Sequence, residues 1–386
     1  MKILSVANIS NFDDINSDSG YIFNYLLAKE FIKDNNEFAI VLPVGLNNIE
    51  NFKDCKIYHS DIGTTKYSSR FAFNWDSFSN IINEYKPDLI FINQCELTSA
   101  IKALLISNKN NQTKILTYCH YPALHVDENQ KSILDYSLNN EGLGETIIYN
   151  ILTAVNVADF FITQSNFAKN LLIDYAGQHN VELGKEIHII PPPLDPTFYN
   201  KKERDFVRGS NIVYNHRLYQ SYGTGFLTSL IESNCDKQFL VLDPMPNRAK
   251  NRTQFNNTPS EFVQSLKTVK NVEVFNGSES RLKYKQYLEN GDIAVACYRT
   301  ACVWSMAAVD CLCVGIPVIA PNFAAYPEFI PDYLRFNSLK EANIIINKLF
   351  KDKDFYKKAI FESRKVLDGL HPNMIYQKFK EIILGV

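Results

Sequence analysis

The residues of this chain that are best suited to chemistry lie in the segment YNHRLYQSYGTG, residues 214–225. His216, Arg217 and Gly223 follow directly after the apolar run of residues 211–213, which is typical of a strand. An arginine carries a permanent charge on a planar fork that suits phosphate oxygens, and a glycine lets the backbone approach an anion closely. The segment therefore predicts one of two structures, a phosphate-binding turn in an enzyme or an ordinary connection from a strand to a helix.

A second candidate group follows another apolar run in the first half of the chain. His120 lies in TYCHYP, after a run that predicts a strand, and we expect it in the loop that follows. A histidine can act as an acid or a base near neutral pH, and His125, Asp127 and Glu128 are weaker candidates in the same loop. A lone histidine is more often a structural residue, but the position after a strand favours a functional role.

The composition restricts the class of protein. The chain has 386 residues, of which 46% are hydrophobic and 21% are charged, as in globular proteins with two or three domains. The net charge of −2 argues against a protein that coats nucleic acid by charge alone, while it leaves room for a local basic patch.

The cysteines and the apolar runs indicate the compartment. The eight cysteines form no C-x-x-C pair and lie mostly in apolar runs, which indicates reduced, buried thiols rather than a zinc site or a disulfide framework. No apolar run is long enough to span a membrane, and the N-terminal run is too short for a signal peptide. We therefore expect a cytoplasmic protein without stable membrane insertion.

The candidate residues need elements that bring them to one edge of a sheet. Short β-branched runs, among them KILSVA, FAIVLPV, DLIFIN, KILTYCH and DFFITQS, alternate with longer segments of helical period. This alternation predicts βαβ units, and hence a parallel sheet covered by helices on both faces. After PPPLDPTFYNKKERD (residues 191–205), which is typical of a linker, the alternation begins again with NIVYN, QFLVLD, VEVFNG, DIAVACY and IPVIAP.

The predicted fold class is therefore α/β, with two doubly wound, Rossmann-like domains. We place the first domain at residues 1–200 and the second at residues 205–370, and the helix of residues 371–386 is a candidate to pack back on the first. In such sheets the loops after the carboxyl ends of the strands bind the ligand, so both candidate groups are expected to face a shared cleft.

Several stretches in both halves match the motifs of one family in the same order. DSGYIFNYLLAKEF, YCHYP, ADFFITQSNFAKNLL and IIPPPLDPTFY occupy the first half, and HRL and DCLCVGIPVIAPNFAAYPEFIP the second. In these stretches the chain resembles the GT-B glycosyltransferases, specifically the large family-four group of retaining enzymes that use nucleotide sugars. The combination of YNHRL with APNFAAYPEFIP is most similar to the tRNA-queuosine mannosyltransferases and to phage glycosyltransferases that modify DNA bases.

The resemblance implies a reaction and a set of residues. A sugar would move from a nucleoside-diphosphate sugar, with UDP-sugar as the first choice, to an acceptor hydroxyl with retention of configuration and without a bound metal or other cofactor. His120 and Arg217 are then the catalytic candidates. The candidates for binding the donor are Gly20, His216, Gly223, Gly277, Arg299, Cys302, Ser305, Met306 and Asp310. Gly20 is also compatible with the plain start of a helix capped by Ser19.

The chain departs from the family pattern at a cation. Tyr222 stands where the family usually has a lysine, and Arg299, Lys250 or His216 could compensate for the missing charge. The sequence does not choose among these three. Apart from the resemblance, Arg217 would be interpreted as an ordinary arginine at the end of a strand.

A second departure concerns two glutamates of the family. Cys302 and Asp310 occupy their positions, and a cysteine cannot hold sugar hydroxyls as a carboxylate does. The donor sugar, hexose or pentose, is therefore open, and an inactive relative that only binds a nucleotide sugar or a nucleic acid is an alternative. Ser305 and Met306 are expected to supply backbone N–H groups, and Gly277 to approach the nucleobase.

The first domain is expected to bind the acceptor. Residues 64–75, TTKYSSRFAFNW, interleave cations with aromatic rings, which suits stacking on a base and contact with phosphates, although a loop with buried aromatics is an equally good interpretation. The candidates are Lys66, Tyr67, Arg70, Trp75, His125 and Asp127. In the second domain Arg248, Lys250 and Arg252 form a basic run. A modified base in DNA or tRNA is the favoured acceptor, and a cell-surface glycan or a lipid-linked sugar is the alternative.

Overall fold

The chain forms two units, each built around a parallel sheet. A computed structural model describes residues 1–7, 9, 15, 18–46, 50–61, 68–71, 73–110, 112–135, 142–200, 204–206, 209–243, 258–276 and 280–385. The first unit comprises Met1–Pro193 together with Pro372–Val386, and the second comprises Leu194–His371. The division falls inside the segment 191–205 that was predicted as a linker.

The first unit contains a seven-stranded sheet whose strands all run parallel. The strands of this unit are β1 (Lys2–Val6), β2 (Glu37–Pro43), β3 (Lys56–Ser60), β4 (Leu89–Ile92), β5 (Lys114–Cys119), β6 (Leu124–Val126), β7 (Ser132–Leu134), β8 (Phe160–Thr163) and β9 (Ile187–Ile189). The order in the sheet is β3-β2-β1-β4-β5-β8-β9, while β6 and β7 form a separate antiparallel hairpin. The strand order reverses between β1 and β4, so the loops after these two strands diverge.

Amphipathic helices cover this sheet. They are α1 (Ser19–Lys33), α2 (Ser68–Phe71), α3 (Trp75–Tyr85), α4 (Thr98–Ser107), α5 (Leu143–Val157) and α6 (Asn166–Gln178). In α3 the apolar residues recur at helical spacing, and Phe78, Ile82 and Tyr85 are buried against the sheet. The helix begins where Asn74 accepts a hydrogen bond from the N–H of Ser77 at 2.9 Å. Its sequence therefore determines both its start and the face that enters the core.

The second unit contains a six-stranded parallel sheet. Its strands are β10 (Asn211–Tyr214), β11 (Gln238–Asp243), β12 (Val272–Asn276), β13 (Ile293–Val295), β14 (Val318–Pro321) and β15 (Arg335–Phe336). Its helices are α7 (Thr224–Ser233), α8 (Thr258–Leu266), α9 (Arg281–Glu289), α10 (Met306–Cys313), α11 (Leu339–Lys351) and α12 (Lys353–Asp368). The order is β12-β11-β10-β13-β14-β15, so the strand order reverses between β10 and β13.

A final helix, α13 (Pro372–Leu384), belongs to the first unit. Its Phe379 is buried and lies against Phe23, Phe91 and Tyr118, with ring centroids 6.5, 5.7 and 5.9 Å apart. On its polar side Lys380 pairs with Asp34 at 2.7 Å. The helix therefore fills part of the core beneath α1.

The predicted α/β fold with two doubly wound, Rossmann-like domains is confirmed. The sequence missed the edge strands β3 and β15 and the hairpin β6-β7, because these strands are short or only partly apolar. Within this segment, Pro193 ends the first unit, and Leu194 and Asp195 already make contacts in the second unit. Asp195, which is buried, pairs there with Arg281 at 2.5 Å, and the N–H of Leu194 donates to the carbonyl of Leu370 at 2.9 Å.

Candidate functional site

The edge at which β10 and β13 end holds the residues of the segment 214–225. β10 ends at Tyr214, and Asn215, His216 and Arg217 follow it. Asn215 is buried, and its Nδ2 donates to the carbonyl of Ala307 at 2.8 Å, which fixes this turn against the start of α10. Because the strand order reverses between β10 and β13, the edge at which these two strands end is the expected place for a ligand.

Gly223 brings two of these loops together. It lies directly before α7 with a φ of +78°, a backbone conformation that side chains other than glycine rarely adopt. A Cβ atom there would lie 2.6 Å from the Cβ of Tyr298 and 2.7 Å from its carbonyl oxygen. The predicted glycine is thus required twice, by its backbone conformation and by the approach of the loop that follows β13.

Two guanidinium groups lie near the ring of Tyr222. The carbon Cζ of Arg299 lies 4.3 Å from the centre of the Tyr222 ring, and that of Arg217 lies 6.0 Å from it. The Nη1 of Arg299 also donates to the Tyr222 hydroxyl at 2.6 Å. Among the described residues no carboxylate forms an ion pair with Arg217, which is half-buried. Two cations next to one ring are an arrangement that an anion stabilises.

His216 adds a neutral ring to this cluster. Burial, together with the nearby Arg299 guanidinium, lowers the pKa of His216 to about 3, so the imidazole is uncharged at neutral pH. The side chain is 6% exposed, and in the described part of the chain its Nε2 has no hydrogen-bond partner. A buried ring nitrogen of this kind is suited to a hydrogen bond with a ligand.

The start of α10 approaches the same turn through Asn215. The hydroxyl of Ser305 accepts a hydrogen bond from the N–H of Ala308 at 3.2 Å, and the helix begins at Met306. The first N–H groups of a helix have no partner within it, so this end favours an anion. Cys302 is buried before this helix, and its thiol donates to the carbonyl of Trp304 at 3.5 Å.

Asp310 lies deeper than a ligand-binding carboxylate needs to be. It is 6% exposed, and burial raises its pKa to about 7 against the opposing effect of Arg281. The hydroxyl of Tyr284 hydrogen-bonds to it and also accepts from Asn215 at 2.8 Å. The carboxyl group therefore belongs to a polar cluster beneath the turn after β10, and its contact with a ribose stays a prediction.

Gly20 lies in the first turn of α1, and the cap of this helix differs from the expected one. The carboxylate of Asp18, not the side chain of Ser19, caps the helix, and it accepts from the N–H groups of Gly20 and Tyr21 at 2.9 and 3.0 Å. These two donors are therefore occupied in the described structure. Aspartate is among the residues that most favour this position, which the sequence analysis overlooked.

His120 follows β5, as predicted, and lies among aromatic rings. Its ring contacts Phe23 and Tyr118 edge-on, with centroids 4.8 and 4.7 Å apart, and its Nε2 lies 3.0 Å from the Oδ1 of Asn93. Burial lowers the pKa of His120 to about 4. The side chain is therefore neutral at physiological pH, which suits a hydrogen-bonding role better than proton transfer near pH 7.

Two of the residues predicted to bind the acceptor are built into the first unit. Arg70 forms an ion pair with the buried carboxylate of Glu96. Trp75 lies against the buried ring of Phe73 at a centroid distance of 4.8 Å and packs on the core. Phe73 and Trp75 thus belong to the core of the first unit, whereas Phe71, at the end of α2, is exposed.

The other two described candidates lie on the hairpin β6-β7. The Nδ1 of His125 lies 3.0 Å from the carbonyl of Val126. The carboxylate of Asp127 accepts from the N–H groups of Asn129 and Lys131, both at 2.8 Å, and so forms the turn of the hairpin. Acceptor contacts of these residues stay predictions.

Some predicted residues lie outside the described part of the chain. They are Lys66, Tyr67, Gly277 and the basic run with Arg248, Lys250 and Arg252. Among the residues that are described, no three side chains of histidine, cysteine, aspartate or glutamate group as metal ligands would. No helix in that same part is long and apolar enough to cross a membrane.

Solved structures with the same architecture span the whole chain. Sucrose-phosphate synthase from Thermosynechococcus elongatus is 13% identical, with a TM-score of 0.72 over 100% of this chain and 98% of its own. Anabaena Alr3699/HepE in complex with UDP-glucose is 13% identical, with a TM-score of 0.69 over all of both chains. An alpha-glucosyltransferase in complex with UDP and a 13-mer DNA containing an HMU base is 12% identical, with a TM-score of 0.61 over 100% of this chain and 99% of its own.

The fold is GT-B. No protein-family model and no curated protein matches the sequence. Identities of this size establish the architecture and leave the chemistry to the residues of this chain.

Sequence reasoning missed two residues that organise the site. The sequence shows Tyr222 only as a missing lysine, although an aromatic ring can attract nearby arginines through its face. Asn215 follows β10 directly, and a buried polar residue at a strand end was the available signal. The contact between Tyr222 and Arg299 joins positions 77 residues apart, so it had no signal in the sequence.

Proposed function

We propose that this protein is a glycosyltransferase that takes a sugar from a nucleoside-diphosphate sugar, with a UDP-sugar as the donor. The observation that carries the proposal is the pair of guanidinium groups, Arg217 and Arg299, near the Tyr222 ring where the strand order of the second sheet reverses. Similar folds hold UDP or UDP-glucose in solved structures, which supports the choice of nucleotide.

The chemistry follows from the charge that develops during transfer. As the bond between the sugar and the diphosphate breaks, negative charge grows on the leaving oxygen, and fixed cations lower the energy of that state. Arg217 and Arg299 supply these cations. The N–H groups at the start of α10, next to Ser305 and Met306, supply further donors. Retention of configuration follows in this proposal from a leaving phosphate that accepts the proton of the acceptor on the same face.

The identities of the sugar and of the acceptor are further parts of the proposal. Cys302 contributes a buried thiol, which cannot hold two sugar hydroxyls as a carboxylate does, so a hexose bound without that contact and a pentose are both compatible with the site. We favour a modified base in DNA or tRNA as the acceptor, and one similar structure holds a DNA that contains an HMU base. A glycan or lipid-linked acceptor is the alternative. The proposed place of action is the cytoplasm.

Mass spectrometry of nucleosides tests the proposal. The protein is incubated with UDP-glucose, UDP-N-acetylglucosamine, UDP-xylose or GDP-mannose and with hydroxymethylated DNA, unmodified DNA or total tRNA, and released UDP or GDP is measured in parallel. A nucleoside heavier by one sugar residue confirms the reaction and identifies donor and acceptor. Release of the nucleotide without a modified nucleoside redirects the search to glycans and lipid-linked sugars.

A third outcome would contradict catalysis. UDP that binds in calorimetry without any turnover would show a binding protein that retains the fold. Absence of both binding and turnover would contradict the proposal as a whole. Arg217→Ala is compared in every arm and should give much less product, because it removes a cation and keeps the backbone of the turn.

A further inference from the structure

A chain of buried amides connects α1 to His120 within the first unit. The Nδ2 of Asn24 donates to the carbonyl of Gly20 at 2.8 Å, and the Nδ2 of Asn93 donates to the Oδ1 of Asn24 at 3.0 Å. The Oδ1 of Asn93 then lies 3.0 Å from the Nε2 of His120. Asn24 is fully buried and Asn93 is 2% exposed, so water does not substitute for these partners.

The first link fixes the direction of every later one. A backbone carbonyl only accepts hydrogen bonds, so the atom of Asn24 that faces Gly20 is its Nδ2 and the opposite atom is its Oδ1. The hydroxyl of Ser5 donates to that same Oδ1 at 2.6 Å. Asn93 must therefore turn its Nδ2 towards Asn24, because the reverse orientation would set two carbonyl oxygens against each other about 3 Å apart.

The imidazole of His120 is the end of this chain. The Oδ1 of Asn93 carries no hydrogen, so the hydrogen of that contact belongs to the Nε2 of His120. Burial keeps the ring neutral at pH 7, and a neutral imidazole carries a single N–H. The other ring nitrogen, Nδ1, therefore has a lone pair. The nearest described donor is the Nε2 of Gln164, which lies 3.5 Å away and donates to the carbonyl of His120 at 3.0 Å.

We propose that Asn93, held by Asn24, is a positioning residue that keeps the hydrogen of His120 on Nε2 and presents Nδ1 as the acceptor for a substrate hydroxyl. The inference rests on the proposed function and makes it more specific. A neutral acceptor of this kind favours a hydroxyl of a sugar or of the group that receives it. It disfavours a phosphate or carboxylate oxygen, which has no hydrogen to donate.

The first test reads the tautomer without any substrate. Long-range proton–nitrogen NMR spectra of the whole protein, labelled with nitrogen-15 in its seven histidines, distinguish a protonated ring nitrogen from one with a lone pair. The signals of His120 are those that disappear in His120→Gln. We expect a protonated Nε2 and an unprotonated Nδ1 at pH 7. A protonated Nδ1, or signals averaged between the two tautomers, would overturn the proposal.

The second test separates positioning from packing. Asn93→Leu removes the acceptor, so we expect the two tautomers to mix and kcat/KM to fall roughly 10-fold, as for the loss of one buried hydrogen bond. Asn93→Asp keeps an oxygen towards Nε2, so we expect Nε2 to stay protonated, but it sets a second oxygen against the Oδ1 of Asn24, so the activity should return only in part. Asn156→Leu is the matched control, because Asn156 also bonds through its side chain, to Gly184 and Glu182, away from His120.

The outcomes separate this inference from the proposed function. An unchanged tautomer in Asn93→Leu would overturn the positioning role, even if activity fell. If Asn93→Leu does not fold, the wild-type spectrum and the Asn93→Asp variant still decide the question. If the predicted tautomer is present but no sugar transfer is detected, the proposed contact of His120 with a substrate hydroxyl is wrong. Only the assignment of the hydrogen to Nε2 then remains.

Discussion

The two units place a histidine after a strand at the edge of each sheet, and the two histidines have different surroundings. His120 in the first unit is bonded through Nε2 to the amide of Asn93, whereas His216 in the second lies near the guanidinium of Arg299 and has no partner for Nε2 in the described chain. Both rings are neutral, since burial lowers the pKa of His120 to about 4 and that of His216 to about 3.

We propose that this difference gives two kinds of subsite on one architecture. Neutral amides around a histidine fix its tautomer and leave one acceptor, which suits a hydroxyl group. Burial, together with the guanidinium of Arg299, keeps His216 uncharged, and the same cation attracts an anion to this place. The fold supplies the position after the strand, and the neighbouring side chains decide which ligand that position prefers.

The largest effect is expected from the cation of the second unit. Arg217→Ala should lower kcat/KM about 100-fold and the affinity for UDP about 10-fold, because the diphosphate would lose a hydrogen bond from the Arg217 cation. Enzyme kinetics and calorimetry with UDP measure the two quantities. Arg364→Gln is the control, since its guanidinium donates to the carbonyl of Asn200 at 3.1 Å. If the affinity for UDP is unchanged in Arg217→Ala, the proposed anion subsite of the second unit is wrong.

The next effect concerns Gly223, whose backbone lets the loop with Arg217 approach the loop with Arg299. Gly223→Ala should lower the free energy of unfolding by about 2 kcal/mol, because the added Cβ meets Tyr298 and the φ of +78° is strained. Gly225→Ala is the matched control, with nothing within 4 Å of its Cβ, and should be neutral or stabilising by about 0.5 kcal/mol. Denaturant unfolding compares both variants, and equal stabilities would contradict the close approach.

The pH dependence of stability sharpens the comparison of the histidines. The folded-state pKa of His216 lies below its ordinary value of 6.5, so its stabilising contribution is present above pH 6.5 and is lost as the pH falls towards about 3. Asp310 acts in the opposite direction, because its raised pKa of about 7 stabilises the fold below pH 3.8 and this contribution is lost as the pH rises through about 7.

Variants separate these two contributions. His216→Gln should reduce the loss of unfolding free energy between pH 7 and pH 5 by on the order of 1–2 kcal/mol, and Asp310→Asn should increase that loss. Unfolding curves at several pH values provide the measurement. A His216→Gln variant with the same pH dependence as the wild type would show that the ring is not buried as described.

The smallest effect is expected from a single hydroxyl. Tyr222→Phe keeps the ring near Arg217 and Arg299 and removes the hydrogen bond that holds Arg299, so the affinity for UDP should fall about 5-fold. Calorimetry with UDP measures the change. A loss as large as that of Arg217→Ala would mean that the hydroxyl itself contacts the ligand.

The sequence predicted the elements better than the contacts. Continuous apolar runs such as KILTYC predict buried parallel strands, because both faces of such strands are covered. The strand β3, KIYHS, lies at an edge of the sheet and is only partly buried, so its composition gives no comparable signal. His120 and Arg217 were found because the carboxyl ends of strands are the expected place for a ligand.

The partners of these residues could not be predicted. Asn93 and Asn24 are 69 positions apart, and nothing in either segment indicates that one amide orients the other. The same holds for the pairing of Arg70 with Glu96, which occupies a cation that its aromatic neighbours had suggested for the acceptor. Contacts of this kind arise from the sheet order, which hydrophobic periodicity does not specify.

The position of α13 has a consequence for how the protein is made. Phe379 lies against Tyr118, whose ring contacts His120, yet residues 372–384 are translated only after the whole second unit. At a synthesis rate of roughly 5–20 residues per second, Phe379 is translated many seconds after the rest of the first unit. During that time the ring of Tyr118, next to His120, lacks its contact with Phe379. The surroundings of His120 are therefore among the last parts of the molecule to reach their native arrangement.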